Sequence, residues 1–340
     1  MVGKEILRNL VRFNTVKDKE NAQMINYIEK ILREQGFQTD YKGRNLVMSI
    51  KKEWNLGFLG HMDTVEPGQQ WKTNPFQMQE KDGKLYGLGV CDMKGGIAAM
   101  LAAVSQVNFE DLRKGMKLYF TYDEEIGFSG IKDAIRQEKT FPDTMIFGEP
   151  TNNEIMVGSK GLMEYQISFK GEKAHSSTPE KGKSAIRSAI DFINELQEFY
   201  EMNIKKEQNA NFEISYTTMN IGKIQGGSAI NSVPDFCEFL VDFRTIDTKA
   251  EKKIVQEIAV LKEKYGADVQ NLNRLSAFFN PSEISKKTCN FITEASFLKK
   301  NCLILGAGPV TAHEVNEYIE EKSLEQLVEQ YRELIEKMCR

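Results

Sequence analysis

Along the first sixteen residues, Ile6, Leu7, Leu10, Val11 and Phe13 recur at helical spacing with charged residues between them. The pattern predicts an amphipathic helix and not the apolar core of a secretory leader. Beyond it, short β-like apolar runs alternate with helical patterns. "NLVMSI" (45–50), "NLGFLG" (55–60), "MKLYFTY" (116–122) and "TMIFGEP" (144–150) read as strands. "GGIAAMLAAVSQV" (95–107), rich in Ala and Leu, reads as a buried helix, and "SGIKDAIRQ" (129–137) as another. This alternation predicts an α/β sheet with helices on both faces. In such sheets functional residues gather just beyond the carboxyl ends of strands.

From residue 162 the texture changes. "LMEYQISF" (162–169) alternates, as a strand with one solvated face does. Ile186, Ile190, Ile193, Leu196 and Phe199 then mark a helical stripe. "FEISYTTMNIGKI" (212–224) and "FCEFLVDFR" (236–244) read as strands, and "AEKKIVQEIAVLKEKYG" (250–266) as a second amphipathic helix. The block predicts an α+β insertion with an antiparallel sheet. "CLILGAG" (302–308) and "SLEQLVEQYRELIEKM" (323–338) then return the chain to the first domain as a strand and a closing helix. The expected organisation is one domain of residues 1–161 and 276–340 around an inserted domain of 162–275.

The length of 340 residues suits two such domains better than one core. A net charge of −4 gives no reason to expect nucleic acid or an anionic membrane as partner. No apolar run is long enough to cross a bilayer. Five cysteines, an odd number without a CxxC pair, fit a reducing cytosol and a cytoplasmic location better than a disulfide framework.

The chain has only three histidines, His61, His175 and His313, and each sits in a turn-like segment: "GHMDTVEPG", "GEKAHSSTPEKG" and "GPVTAHEVNEYI". In the first, His61 and Asp63 stand two apart at a predicted strand end. That spacing would put both side chains on one face, as a metal ligand and its orienting carboxylate. Acids collect at the other strand ends: Asp92 before the Ala-rich helix, Asp123, Glu124 and Glu125 after "MKLYFTY", and Glu149 after "TMIF". One acid there is ordinarily a helix cap. An unbroken "DEE" is harder to explain, because three like charges repel unless a cation sits nearby.

His61, Asp92, Glu125, Glu149 and His313 form the candidate ligand set. Nitrogen and carboxylate donors without thiolate suit zinc or a related divalent ion, cobalt and manganese included, in a catalytic site. Two histidines and three acids exceed one open tetrahedral site and match two ions sharing a carboxylate. Glu124 beside them is the candidate general base. Cys91 reads as a small buried residue rather than a ligand.

Seven segments in order, "GHMDTVEPG", "DGKLYGLGVCDMKGG", "DEEIGFSG", "GEPT", "GEKAHSSTPEKGKSAI", "INSVPDFCEFLVDFR" and "GAGPVTAHEVNEYI", resemble the two-zinc metallopeptidase family of acetylornithine deacetylase, succinyl-diaminopimelate desuccinylase, aminoacylase and glutamate carboxypeptidase. The resemblance implies a zinc-peptidase-like catalytic domain with a mixed sheet, plus an inserted lid and dimerisation domain. It implies that His61, Asp92 and Glu149 hold one ion and that Asp92, Glu125 and His313 hold the other. Asp63 would orient His61, and the Asp92–Met93 peptide would be cis. His175 would reach a partner subunit's site to stabilise the oxyanion, with Asn231 beside it. Arg244 would clamp the substrate carboxylate.

Within the family, "WKTNPFQMQEKDGKLYGLGVCDMKGG" and "ITEASFLKKNCLILGAGP" look most like the acetylornithine deacetylase branch. Glu149, a Glu where many carboxypeptidases have Asp, points to the deacylases. Glu294 is expected near the site, favouring a cationic side chain, and Gly308 is expected at the acyl pocket. The chain departs from the family pattern in an inserted Glu66, in "GLG" and in "GAGP". The expected reaction is hydrolysis of an N-acyl-L-amino acid, N-acetyl-L-ornithine first, by a homodimer. Metal-activated water would give its proton to Glu124, which returns it to the leaving amine. The alternatives are a desuccinylase, a dipeptidase or carboxypeptidase, and an inactive amino-acid-binding relative.

Overall fold

The structure, a computed structural model, describes residues 2–281, 284–298 and 301–340. The chain divides into two compact units, one of Met1–Val157, Asn280–Lys287 and Thr293–Arg340, the other of Gly158–Phe279 and Thr288–Ile292.

The first unit opens with α1 (Val2–Arg12), which buries Ile6, Leu7, Leu10 and Val11 as its spacing requires, and α2 (Asn21–Glu34). β1 (Gln38–Lys42), β2 (Asn45–Ile50), β3 (Trp54–His61), β4 (Gln79–Lys81) and β5 (Lys84–Tyr86) follow. In α3 (Lys94–Val104) every residue is buried, as its unbroken apolar sequence demands. Next come β6 (Gly115–Thr121), α4 (Ser129–Gln137), β7 (Thr144–Phe147) and β8 (Met156–Ser159), in which the chain passes to the second unit.

The second unit contains β9 (Gly161–Lys170), α5 (Ala185–Phe199), β10 (Thr218–Gly226), β11 (Phe236–Thr245), α6 (Thr248–Tyr265), β12 (Asp268–Leu275) and β13 (Phe278–Phe279). After β14 (Lys287–Cys289) come α7 (Ala295–Leu298), β15 (Cys302–Ile304), β16 (Tyr318–Glu320) and α8 (Glu321–Cys339).

In the first unit the central sheet runs β1-β2-β6-β3-β7-β15-β8. β3 is parallel to β6 and β7, and β15 is parallel to β7; β1 and β2 are antiparallel additions, and β8 meets β15 at Met156 and Ile304. The architecture is therefore α/β with a mixed sheet. α3 packs between α1 and α8, and Tyr331 on α8 meets Phe58 on β3 edge to face at 4.9 Å.

The second unit is an antiparallel sheet, β10-β11-β9-β12. Alternate residues of β9 (Met163, Tyr165, Ile167, Phe169) and β11 (Cys237, Phe239, Val241, Phe243) enter its core with residues of α5 and α6. Asp247 caps α6 by accepting the Ala250 N–H at 2.8 Å, and Gly266 ends it at φ 62°.

Three details differ from the sequence reading. α5 buries Ala185, Ala189, Phe192 and Leu196, while Ile190 on the expected stripe is exposed. The two alanines let the helix backbone approach the sheet, and Phe192 fills the space beside Phe169 and Phe239 at 5.6 and 5.8 Å. β10 begins at Thr218, not at Phe212, because Asn209 organises a turn that accepts the N–H groups of Asn211 and Phe212. Thr288–Ile292 packs in the second unit, where Thr288 Oγ1 donates to the Asn211 carbonyl at 2.6 Å.

Gly96 places α3 directly against the end of β7: a Cβ there would stand 2.3 Å from the Gly148 carbonyl oxygen. Gly96→Ala is therefore expected to destabilise the protein by about 1–3 kcal/mol, the usual cost of overpacking a rigid contact. Urea unfolding checks this; an unchanged midpoint would show that the helix moves aside freely.

Candidate metal centre

The parallel strands β6, β3, β7 and β15 end in a row along one edge of their sheet, and the chemistry lies there. β3 ends on His61; Glu124 and Glu125 follow β6; Glu149 follows β7; the loop after β15 carries His313. Asp92 lies in the turn leading into α3, and its peptide to Met93 is cis, as expected.

Asp92 stands between the two imidazoles. Its Oδ1 lies 3.1 Å from His61 Nε2 and its Oδ2 lies 3.4 Å from His313 Nε2. Glu149 Oε1 is 3.9 Å from His61 Nε2, and Glu125 Oε2 is 3.0 Å from His313 Nε2. The cluster thus has two halves, His61/Asp92/Glu149 and Asp92/Glu125/His313, sharing one carboxylate. His61, Asp92 and Glu125 each offer a donor atom within 4.8 Å of the other two. Glu124 is buried beside them. Asp123 turns away: at φ 58° it closes the turn, its carbonyl accepting the Gly127 N–H and its carboxylate the Ser129 hydroxyl.

Asp63, Glu294 and Gly308 make contacts that the sequence does not show. β3 ends at His61, so the same-face rule does not extend to Asp63. His61 Nδ1 meets the Asp63 backbone carbonyl at 3.0 Å, with the carboxylate Oδ1 at 3.7 Å, while Asp63 Oδ2 accepts the Glu125 N–H at 3.1 Å. Asp63 therefore orients the histidine through its carbonyl and Glu125 through its side chain. Glu294 is fully buried within electrostatic reach of His61, Glu124 and Glu149, and one of its oxygens accepts a hydrogen bond from Thr121 Oγ1 at 2.8 Å. Gly308 is buried with both backbone groups engaged: its N–H donates to Ser323 Oγ at 2.7 Å and its carbonyl accepts the Glu320 N–H at 2.9 Å.

Sequence reasoning missed Glu317. Its buried carboxylate accepts the N–H groups of Gly89 (2.8 Å), Cys91 (2.7 Å) and Asp92 (3.0 Å). The signal was an acid four residues after His313 in "HEVNEYI", but a sequence does not show which carboxylates face inward. Lys94 is buried too, its ammonium donating to the Phe13 carbonyl at 2.8 Å. Glu66 is exposed and pairs with Lys17, apart from the cluster.

His175, Asn231 and Arg244 belong to the second unit. His175 is exposed; its Nδ1 accepts the Ser177 N–H at 3.2 Å, which fixes the ring proton on Nε2. Asn231 is exposed, and its carbonyl accepts the Ser176 N–H at 3.0 Å. Arg244 is half-buried, with Nε bound to Asp242 at 3.0 Å.

Burial raises the carboxyls of Glu124 and Glu149 well above the ordinary range, His61 opposing and the neighbouring acids adding to the rise. Glu294 is pushed up to about 8, chiefly by burial. Asp92 is held low despite burial by its bonds to His313 and His61. His313 is raised to about 10 by hydrogen bonds to Asp92 and Glu125. Burial disfavours charge on His61, yet Asp92, Glu124, Glu149 and Asp63 together raise it well above its usual value. Ionising these acids together out of water requires a counter-charge, which divalent cations between the imidazoles and acids would supply. The donor set fits such ions.

Two imidazoles and several acids at strand ends, without thiolate, define a candidate His/carboxylate centre for divalent ions. Residues 57–337 match the profile of Peptidase family M20/M25/M40, so the chain belongs to that family. It is a hydrolytic enzyme acting on amides. It is 30% identical over 371 residues to an acetylornithine deacetylase of Buchnera aphidicola subsp. Acyrthosiphon pisum (strain Tuc7), spanning 98% of this chain and 97% of that protein. Its fold superposes on a tripeptidase from Staphylococcus aureus subsp. aureus mu50 with a TM-score of 0.82, at 24% identity and covering 100% of this chain and 98% of the other. A Bacillus subtilis protein described as a dinuclear metal binding peptidase from the M20 family superposes with a TM-score of 0.69, at 14% identity over 99% and 98% of the two chains. Among the described residues no helix is long and apolar enough to cross a membrane.

The titrations predict how the metal-free protein responds to pH. Glu124, Glu149 and Glu294 hold protons in the folded state that an unfolded chain releases above about 4.3, so stability falls as pH rises. Raised His61 and His313 act in the same direction once pH passes about 6.5. Asp92 changes only in stronger acid, and Lys94, lowered to about 7, contributes with opposite sign only above that pH. Chelated protein is expected to melt at a lower temperature at pH 7 than at pH 5, and added zinc to narrow the difference. A chelated protein that melts higher at pH 7 contradicts this account.

Proposed function

We propose that the protein hydrolyses the amide of an N-acyl-L-amino acid, N-acetyl-L-ornithine first, to the free amino acid and acetate. The observation that carries the chemistry is the Asp92 carboxylate shared between two imidazole-and-acid half-sites with Glu124 buried alongside. The choice of substrate is supported by the name of the Buchnera relative, matched along nearly its whole length. His61, Asp92 and Glu149 would hold one divalent ion, and Asp92, Glu125 and His313 the other, with zinc, cobalt and manganese all compatible with the donors. Two ions held there supply Lewis acidity toward the amide carbonyl and the attacking water.

Glu124 moves the proton. A carboxylate oxygen takes it from the attacking water and gives it to the amine nitrogen as the C–N bond breaks. A carboxyl group serves both halves of that task, ionised when it takes the proton and protonated when it returns it to the leaving amine. In the second unit, the tautomer of His175 makes Nε2 a donor, as an oxyanion needs. Asn231 would assist, and the Arg244 fork would take the substrate's α-carboxylate. His175 and Asn231 would serve the site of a second copy, the second unit acting as lid and dimerisation domain. β10 is an edge of its sheet with Ile224 exposed, a strand suited to pairing with another copy.

The test is amine release from N-acetyl-L-ornithine, N-succinyl-diaminopimelate, N-acetyl-lysine, N-acetyl-methionine and a set of di- and tripeptides, with zinc or cobalt and after chelation. Metal-dependent turnover highest on acetylornithine supports the reading. Highest turnover on a succinyl substrate or a peptide replaces it with a desuccinylase or peptidase, and no turnover by metal-loaded protein makes it an inactive relative. Glu124→Gln is expected to lower kcat by about 10²–10⁴. Mixing inactive Glu124→Gln with His175→Ala should restore activity, since a mixed dimer has one intact site; no recovery after subunit exchange would place His175 in its own chain's site.

A further inference from the structure

Glu317 lies on the same loop as His313, yet its carboxylate is spent on another segment. Oε2 takes the N–H of Gly89, and Oε1 takes those of Cys91 and Asp92. The Glu317 backbone carbonyl also accepts the Gly87 N–H at 3.1 Å. Further contacts join the same two segments: the Thr311 N–H approaches Cys91 Sγ at 3.4 Å, and Cys91 Sγ approaches the Pro309 carbonyl at 3.5 Å. Next to Glu317, β16 pairs with β5, Tyr318 opposite Tyr86. The turn carrying Asp92 and the loop carrying His313 are thus tied by one buried side chain.

The three donors cannot all be satisfied by their own turn, because they point to one place outside it. Only a carboxylate accepts all three without presenting a hydrogen of its own, and a buried N–H left without an acceptor is costly. The same bonds fix the backbone of Asp92, whose two oxygens must face His61 and His313 at once.

We propose that Glu317 is a positioning residue that sets the shared carboxylate of Asp92 against His313 and thereby tunes the affinity of the centre for its second ion. This rests on the two-ion reading above. Groups that orient metal ligands ordinarily change affinity by about 10–100-fold when altered. In Glu317→Gln one oxygen can still serve Cys91 and Asp92, but the amide nitrogen would face the Gly89 N–H, donor against donor. Glu317→Asp keeps the charge on a shorter arm.

The probe is cobalt alone, titrated into chelated wild type, Glu317→Gln and Glu317→Asp, and followed by calorimetry and by the visible absorption of the bound ion. Thermal melting of each metal-free protein is measured in parallel. The expected result is two ions on wild type, at least tenfold weaker binding of one of them to Glu317→Gln with an altered visible spectrum, and partial recovery in Glu317→Asp, while every metal-free protein still unfolds cooperatively, Glu317→Gln at a lower temperature than wild type. Wild-type cobalt affinity and spectrum in a folded Glu317→Gln would overturn the proposal. So would failure of both variants to fold without metal, which would make the residue a structural tie. A wild type that binds fewer than two cobalt ions would overturn the two-ion reading itself, and the role of Glu317 with it.

Discussion

Asp92, Glu124, Glu125, Glu149 and Glu294 are brought together out of water around two imidazoles, and the rest of the first unit is arranged to make that tolerable. Carboxylates in such a place repel one another and lose hydration. Their charge is relieved only in part, by His61 and His313 on either side of Asp92. The scaffold opposes the repulsion by rigidity: parallel strands end in register, and the turn before α3 runs directly into a helix with no exposed residue. Backbone donors do the rest. Asp63 takes the Glu125 N–H, and Glu317 takes three from the Asp92 turn.

The second unit is built differently. Its sheet is solvated on one face, its core is aromatic and aliphatic, and the polar residues of interest lie on exposed segments. His175 is held by a local Ser177 contact rather than by burial. A strained, charge-dense site and a plain hydrophobic sandwich of sheet and helices thus occur in one chain, each with its own source of stability.

Much of this was legible in the sequence for identifiable reasons. The strands and helices of the first half follow from unambiguous periods, and the five candidate ligands stand where apolar runs stop. The mixed sheet and the family membership were expected and found. What failed was side-chain direction. A strand rule does not reach Asp63, which lies two residues past the end of the strand. The segments of Glu294 and Gly308 do not reveal that Thr121 binds one and that Ser323 and Glu320 bind the other. On α5 the bulkier isoleucines drew the stripe away from the alanines that make the contact. Glu317 was invisible because its importance lies in backbone N–H groups that every residue has.

The strand order also bears on when the protein can acquire its chemistry. His61 precedes and His313 follows the whole second unit, and β15 joins the sheet between β7 and β8. During synthesis the first strands, the buried helix and the whole second unit emerge before the segment carrying His313 exists. A nascent chain can display at most one half of the centre, so the two half-sites around Asp92 are complete only after the segment carrying His313 has been made.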